Sequence, residues 1–526
     1  MKEFHRIFRF ILILLSGVAT LHAQNTMVIR SISIEQHPVF DTTADIRWIE
    51  RTANSVHSNA KEFVIRREIL FHENDTLKQA ALDETERNLR RLGIFGDIEV
   101  RKNVVNDSLV DITVVVHEKW TLYPVAYVTR EGGITGYGAS IDESNFAGLG
   151  QSLGVSYDYL SSRKKPEGFS AYYRITRLFD SEWESLLRYK NSEDLKLRAV
   201  QIDKPFYTET STWSGGVYAD NGTVRALHYT DGMLTTEKFF DFHSQYLWGE
   251  YSMNDNETKL RFGTAFIRQR YPTDTLFSSL SLHLTQVNFS TGWVRRSYRK
   301  ETFFDNLGTT EDVPIGCAAS LVIGKDIQRR DLLFLLLRGQ IAFCINGAYA
   351  GEFVNIQGYR TDSTFSDATL SLGSTFTTRT HSVGVFAANV SGTFGINWNP
   401  GWQTFLDSRN LLRGIPAYAL SGNRRVIINL EERVMHDITI WFFRMGSVFF
   451  FDGGAIWNQG DNYLKSHFYK SVGYGIRIGN EKLQGMGIMR LDFAYNFDRK
   501  NFELILSLGQ LFTAFGGVDT ASPLSF

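Results

Sequence analysis

Residues 121–512 of this 526-residue chain repeat one pattern: short runs of alternating apolar and polar residues, separated by polar turns. Leu153, Val155, Tyr157 and Tyr159 share one face of such a run; Ser152, Gly154, Ser156 and Asp158 share the other. Leu280, Leu282 and Leu284 oppose Ser281, His283 and Thr285. Met489, Leu491, Phe493, Tyr495 and Phe497 oppose Arg490, Asp492, Ala494 and Asn496. A period of two is that of a β-strand and puts each apolar set on one face of a sheet. No helical pattern in this region offers to cover those faces. An open sheet of this size would leave long edges and a large apolar surface in water. Closure removes the edges, and a bilayer outside with water inside satisfies both faces. The expectation is a mainly β chain, most of it an antiparallel transmembrane β-barrel of about 16 strands.

Composition supports this. The chain has 40 Phe, 22 Tyr, 10 Trp and 44 Gly but only 9 Pro. Beyond the N-terminal leader, no apolar run reaches the roughly 20 residues a spanning helix needs. Residues 1–23 read as a secretory signal: Lys2, Arg6 and Arg9 precede an apolar stretch, and Ala23 is a small residue at the expected cut. With 56 Lys+Arg against 57 Asp+Glu, the balance argues against nucleic acid as a partner. Two cysteines, Cys317 and Cys344, do not make a disulfide framework.

Residues 24–120 have a different texture. Residues 28–34 alternate like a strand, and 60–70 look helical. A second helix is expected between Thr76, which has capping-box spacing to Gln79, and Gly93, with Leu82, Leu89 and Leu92 on one face. Strands at 97–104 and 109–116 follow, joined by Asn106, Asp107 and Ser108. The order is that of a small α+β domain. Residues 41–59 stand outside it.

Four segments resemble the BamA/TamA-type superfamily, in which POTRA domains precede an outer-membrane barrel. Val64-Ile65-Arg66-Arg67-Glu68 and Leu89-Arg90-Arg91-Leu92-Gly93-Ile94-Phe95 are similar to POTRA helices, with room for one such domain. Asn145-Phe146-Ala147-Gly148-Leu149-Gly150 resembles an early barrel turn of that family. Leu412-Arg413-Gly414-Ile415 resembles its Val/Ile-Arg-Gly-Phe/Tyr motif, with Ile415 where the family has an aromatic. The resemblance implies a loop folded back into the barrel, its Arg413 paired with acids on the inner wall; the matching positions are Glu431 and Asp452. Alternation independently turns Glu431, Phe450 and Asp452 inward. Residues 502–512, with Phe502, Leu504, Leu508, Gly509 and Phe512, resemble the closing strand and its β-signal, leaving 513–526 as a tail. The early and late strands implied to meet at a weak seam are 122–131 and 502–512.

No H-E-x-x-H, G-x-S-x-G, P-loop or Cys-x-x-Cys pattern occurs, so neither enzyme chemistry, a metal nor a cofactor is expected. His57, His72 and His117 read as surface or turn residues. The basic run Arg295-Arg296-Ser297-Tyr298-Arg299-Lys300 reads as a rim loop. The resemblance implies a bacterial outer-membrane protein with its POTRA-like domain in the periplasm. It would insert or translocate outer-membrane components, protein or lipid, through the seam and lid loop. Expected partners are membrane lipid and lipopolysaccharide, an unfolded client, and periplasmic or lipoprotein factors. The alternative is a passive pore or structural barrel whose periplasmic domain binds a partner. Large steady conductance would favour that pore.

Overall fold

The computed structural model describes residues 27–39, 51, 57–255, 258–271, 276–277, 283–302, 305, 307, 310–329, 331–361, 364–440, 443–480 and 488–513. The expected signal, most of 41–59 and all but the first residue of the 513–526 tail lie outside them, as do Leu280, Ser281 and Leu282.

The N-terminal domain contains β1 (Val28–His37), α1 (Glu62–Arg66), α2 (Gln79–Leu92), β2 (Phe95–Asn106) and β3 (Leu109–Glu118). The sheet order is β1-β3-β2, with β1 parallel and β2 antiparallel to β3. Helix α2 packs Leu82 and Leu89 onto Val110, Ile112, Val114 and Val116 of the central strand. A fully buried leucine of this kind stabilises a domain by about 1.5–3 kcal/mol. The helix stops at Gly93, whose φ of 75° is left-handed and whose N–H bonds the Arg90 carbonyl. Its start differs from expectation. Lys78, not Thr76, is the N-cap and makes no side-chain cap, while Thr76 bridges to Val28. The helix expected over 60–70 shrinks to α1, because its flanks are spent on the barrel: Lys61 N–H bonds the Gly148 carbonyl and Glu68 is held by Arg177.

Among the described residues, twenty antiparallel strands close the barrel, from Leu122–Glu131 to Asn501–Leu508. This corrects the expectation of about 16. Six strands of only 8–10 residues crowd into residues 122–204, where turn signals and strand ends merge in the sequence. An even count returns both barrel termini to the end that carries the α+β domain.

Alternation sets the faces as expected in most places. Leu153, Val155, Tyr157, Phe449 and Phe493 are exposed on the outer wall, while Arg490, Asp492, Ala494 and Asn496 are buried within. Leu284 is an exception: it faces in against Leu332 and Tyr359, so His283 and Thr285 face out. The basic run at 295–300 is no rim loop but part of the strand His283–Thr302, at the domain end. Cys317 and Cys344 are unbridged.

Candidate functional site

Residues 397–423 connect two long strands, Gly384–Ile396 and Arg424–Ile440, and fold into the barrel from the end opposite the α+β domain. A two-residue ladder, Thr404–Phe405 with Ser421–Gly422, clips this lid loop at its base. Buried Asp407 organises the interior: its carboxylate accepts from the N–H groups of Arg409 and Tyr418 and from Asn410 Nδ2. Ser408 Oγ accepts from the N–H groups of Gly414 and Ile415 and donates to Glu503. These local bonds drive Arg413 toward the wall. Gly414 sits at φ 88° and a Cβ there would be 3.1 Å from Asn496 Cβ, so both backbone angle and space favour glycine. Ile415 is fully buried with Leu406, Leu412 and Ile427, an aliphatic contact where the resemblance implied an aromatic one.

Arg413 has no solvent exposure. Its Nε and Nη2 fork onto Asp452 at 2.6 and 2.9 Å. Nη2 also lies 3.0 Å from Glu431, an ion pair without hydrogen-bond alignment, and Nη1 lies 3.2 Å from Asp492. The guanidinium plane covers the Phe450 ring at 3.4 Å. Arg433 pairs with Glu431 at 2.9 Å, and Arg477 with Asp492 at 2.6 Å. With Arg490 3.4 Å from Asp492, four arginines thus share three carboxylates in a buried interior. Such a cluster costs desolvation but is demanding in geometry, and removing one member strands the rest. The structure brings Arg413, Gly414, Glu431, Phe450 and Asp452 together. Asp492, Asn429, Ser408, Arg433, Arg477 and Arg490 join them. Asp492 was legible as inward-facing by alternation, but nothing in its sequence spacing tied it to the lid.

The first and last barrel strands meet next to this cluster. Among the described residues, Leu506↔Arg130 is the one ladder pair between them, whereas the last strand makes eight pairs with its other neighbour and the first makes ten. Side chains and the lid bridge the gap. Arg490 reaches Glu131 at 2.7 Å, Glu503 accepts from Gly132 N–H at 2.6 Å, and Ala417 N–H bonds the Gly132 carbonyl.

Phe502, Leu504 and Leu508 are exposed on the outer wall, as a closing strand requires. The expected extension to Phe512 is corrected. The strand ends at Leu508, Gly509 turns at φ 81°, and the chain bends inward. Phe512 is buried against Val313, Tyr349, Val385 and Ala387 from other strands. Arg433 lies 4.9 Å over its ring and donates to its carbonyl. A glycine with positive φ breaks the pleat, and the apolar lumen patch then takes the aromatic that alternation would have sent to lipid.

At the other mouth, the α+β domain is docked on the barrel turns. Buried Glu68 accepts a two-pronged bond from Arg177 at 3.0 and 2.8 Å and a bond from the Tyr207 hydroxyl. Arg90 forks onto Asp312, and Glu86 meets Lys300. The turn containing Asn145 and Gly148 bonds Ser58 and Lys61. Glu209 lies between Arg296 and Lys259: burial works against its ionisation, but the two cations hold its carboxyl down to about 2. Of the three histidines expected at the surface or in turns, His72 and His117 are exposed, the latter stacked on His37, but the His57 side chain is buried 3.3 Å from Glu118.

Residues 55–119 match the POTRA family model, described as a surface antigen variable number repeat. A comparison with curated proteins finds no match. Among solved structures, BamA from Haemophilus ducreyi lacking POTRA domains 1–3 is 14% identical, covering 92% of this chain and 83% of that one, with a TM-score of 0.36. CdiB from Acinetobacter baumannii is 10% identical over 92% and 73%, with a TM-score of 0.47. CdiB from Escherichia coli is 8% identical over 94% and 90%, with a TM-score of 0.44. A POTRA domain directly ahead of a closed barrel with an apolar outer wall is the arrangement of the BamA/TamA-type barrels that the sequence resembles.

Proposed function

We propose that this barrel inserts or exports outer-membrane components by opening the junction between its first and last strands, with no covalent chemistry of its own. The single ladder pair at that junction carries the reading. Most backbone donors and acceptors of both strands lack a partner across it, and such an edge templates an incoming strand. A strand-forming polypeptide fits that edge better than a lipid. The eight strands around the junction have 8–10 residues, at or below the roughly 9–11 a typical bilayer calls for. Lipid beside them must thin, which lowers the barrier to insertion. The Arg413 cluster is the lock that keeps the lid across this junction. Glu503 and Gly132 are its points of contact with the two strands. The exposed edge strand β2 of the POTRA sheet offers a receiving edge for a client on the periplasmic side. The passive-pore reading gains less support, because the lid fills one end and the POTRA domain lies across turns at the other.

The test uses Arg130→Cys with Leu506→Cys in a Cys317→Ser, Cys344→Ser background. Directly opposed residues of antiparallel strands fall within disulfide reach. Oxidation is expected to abolish accelerated folding of a client barrel in liposomes, and reductant to restore it. Undiminished activity of quantitatively cross-linked protein would overturn the proposal.

A further inference from the structure

A second candidate site lies on the outside of the barrel. Its logic is read from ladder pairs, which place side chains of neighbouring strands in rows. One outward row is Ile202, Val217, Leu247, Phe266 and Val287. It is wholly apolar, and Val217, Leu247 and Phe266 are well exposed, as a lipid-facing row must be. The next row toward the lid end is Val200, Ala219, Gln245, Arg268 and Thr285. The one beyond is Arg198, Asn221, His243, Arg270 and His283. Within two rows the wall turns from aliphatic to cationic. That is the level where acyl chains end and headgroups begin.

The three arginines differ from others at this end of the barrel. Arg225 is tied to Asp194, Glu193 and Glu237, and Arg163 to Asp158 and Asp194. Arg198, Arg268 and Arg270 have no hydrogen-bond or ion-pair partner among the described residues. Asp220, which lines the recess, accepts from the Tyr218 hydroxyl, and Asp241 in the following outer row accepts from Thr223. Between the arginines the wall is low, because Ala219, Asn221 and Gln245 have short or medium side chains. The result is a recess of about 700 Å³, with Arg198 on one flank and Arg268 and Arg270 on the other. Strands lie about 4.8 Å apart, so the three steps separating these flanks are within the combined reach of extended arginines around one polyanionic group. Guanidinium forks match phosphate oxygens two at a time.

We propose that Arg198, Arg268 and Arg270 form a binding site for the phosphate groups of an outer-leaflet glycolipid, its acyl chains lying on the row of Val217, Leu247 and Phe266 below. The site straddles the step between the two walls, with Arg198 on the 10-residue strand Leu195–Lys204 and Arg268 and Arg270 on the 13-residue strand Thr258–Arg270, and it fixes the outer-leaflet boundary there. It depends on the barrel lying in the outer membrane but not on the junction moving a client.

Native mass spectrometry of the full-length protein in detergent tests this, with bis-phosphorylated lipid A as the probe. Wild-type protein is expected to bind it, and Arg198→Gln/Arg268→Gln/Arg270→Gln to bind on the order of a hundredfold more weakly. The single variant Arg268→Gln should fall between them. Arg499→Gln, on a distant turn at the same end, should match wild type. Heat-modifiable migration of each variant confirms a folded barrel. Dephosphorylated lipid A is expected to bind wild type as weakly as lipid A binds the triple variant. Equal binding by folded triple variant and wild type would overturn the proposal. So would equal binding of dephosphorylated lipid A or phosphatidylglycerol, or full competition by inorganic pyrophosphate at matched concentration. Because client folding is a separate assay, a failed Arg130/Leu506 cross-link would leave this result standing.

Discussion

The two sides of the barrel wall are built from the same alternating pattern yet differ in depth. Around the junction, eight strands have 8–10 residues; the remaining twelve, from Trp213–Thr230 to Tyr469–Asn480, have 12–23. The tall side has surplus length inside, and there it places Glu431, Arg433 and Asp452, which receive the lid. The thin side has no such surplus, and its last and first strands share one ladder pair. The lid spans both: Arg413 anchors it to Glu431 and Asp452 of the tall wall and to Asp492 of the thin one, and Ser408 ties it to Glu503 of the thin one.

Substitutions at the lid and at the domain contact, and a pH change at the periplasmic turns, test this difference between the two sides. The largest effect is expected from Arg413→Ala, which leaves Glu431, Asp452 and Asp492 buried with Arg433, Arg477 and Arg490 for compensation and leaves Asp452 without its ion-pair partner. A loss of about 3–5 kcal/mol is expected, read as a lower temperature of heat-modified migration together with impaired client folding. Wild-type stability would remove the lock. Next is Glu68→Ala, which leaves the buried Arg177 and the Tyr207 hydroxyl without their shared acceptor. Undocking of the POTRA domain, at a cost of about 1–3 kcal/mol, should appear as faster amide exchange in 58–92 with barrel exchange unchanged. Gly414→Ala should cost about 1–3 kcal/mol through strain at φ 88°. If melting of this variant were unchanged, the lid would have another way to seat Arg413. The smallest effect concerns pH. The Glu209 carboxyl is held at about 2 in the folded protein, below its ordinary 4.5. Its contribution is complete above that ordinary value and lost as pH falls toward 2. Protection factors in residues 205–212, taken relative to the intrinsic exchange rate at each pH, should therefore fall between about pH 5 and 3, with those of the remote lid unaffected.

The lid residues show how far one sequence can be read. Glu431, Phe450 and Asp452 face the lumen because alternation has no other choice once Phe449 is given to lipid. Arg413 could be matched to them only through a resemblance, since a loop has no period to place its side chains. Nothing local in the sequence ties Asp492 and Arg477 to the lid, because their strands lie far along the chain and meet it only after closure. Thr76 has the spacing of a cap without the role for a related reason: its bridge to Val28 is a tertiary contact that local spacing does not encode.

What residues alone determined was the period of two, the face each strand gives to lipid, and the separate texture of the domain ahead of it. Those follow from local geometry, because neighbouring side chains on a strand must point opposite ways. Tertiary closure decided the number of strands, the inward bend of Phe512 after Gly509, and the single pair at the junction. Each depends on which distant segments become neighbours, and hydrogen-bond partners across a ring are chosen by the ring's completion, not by any one strand within it.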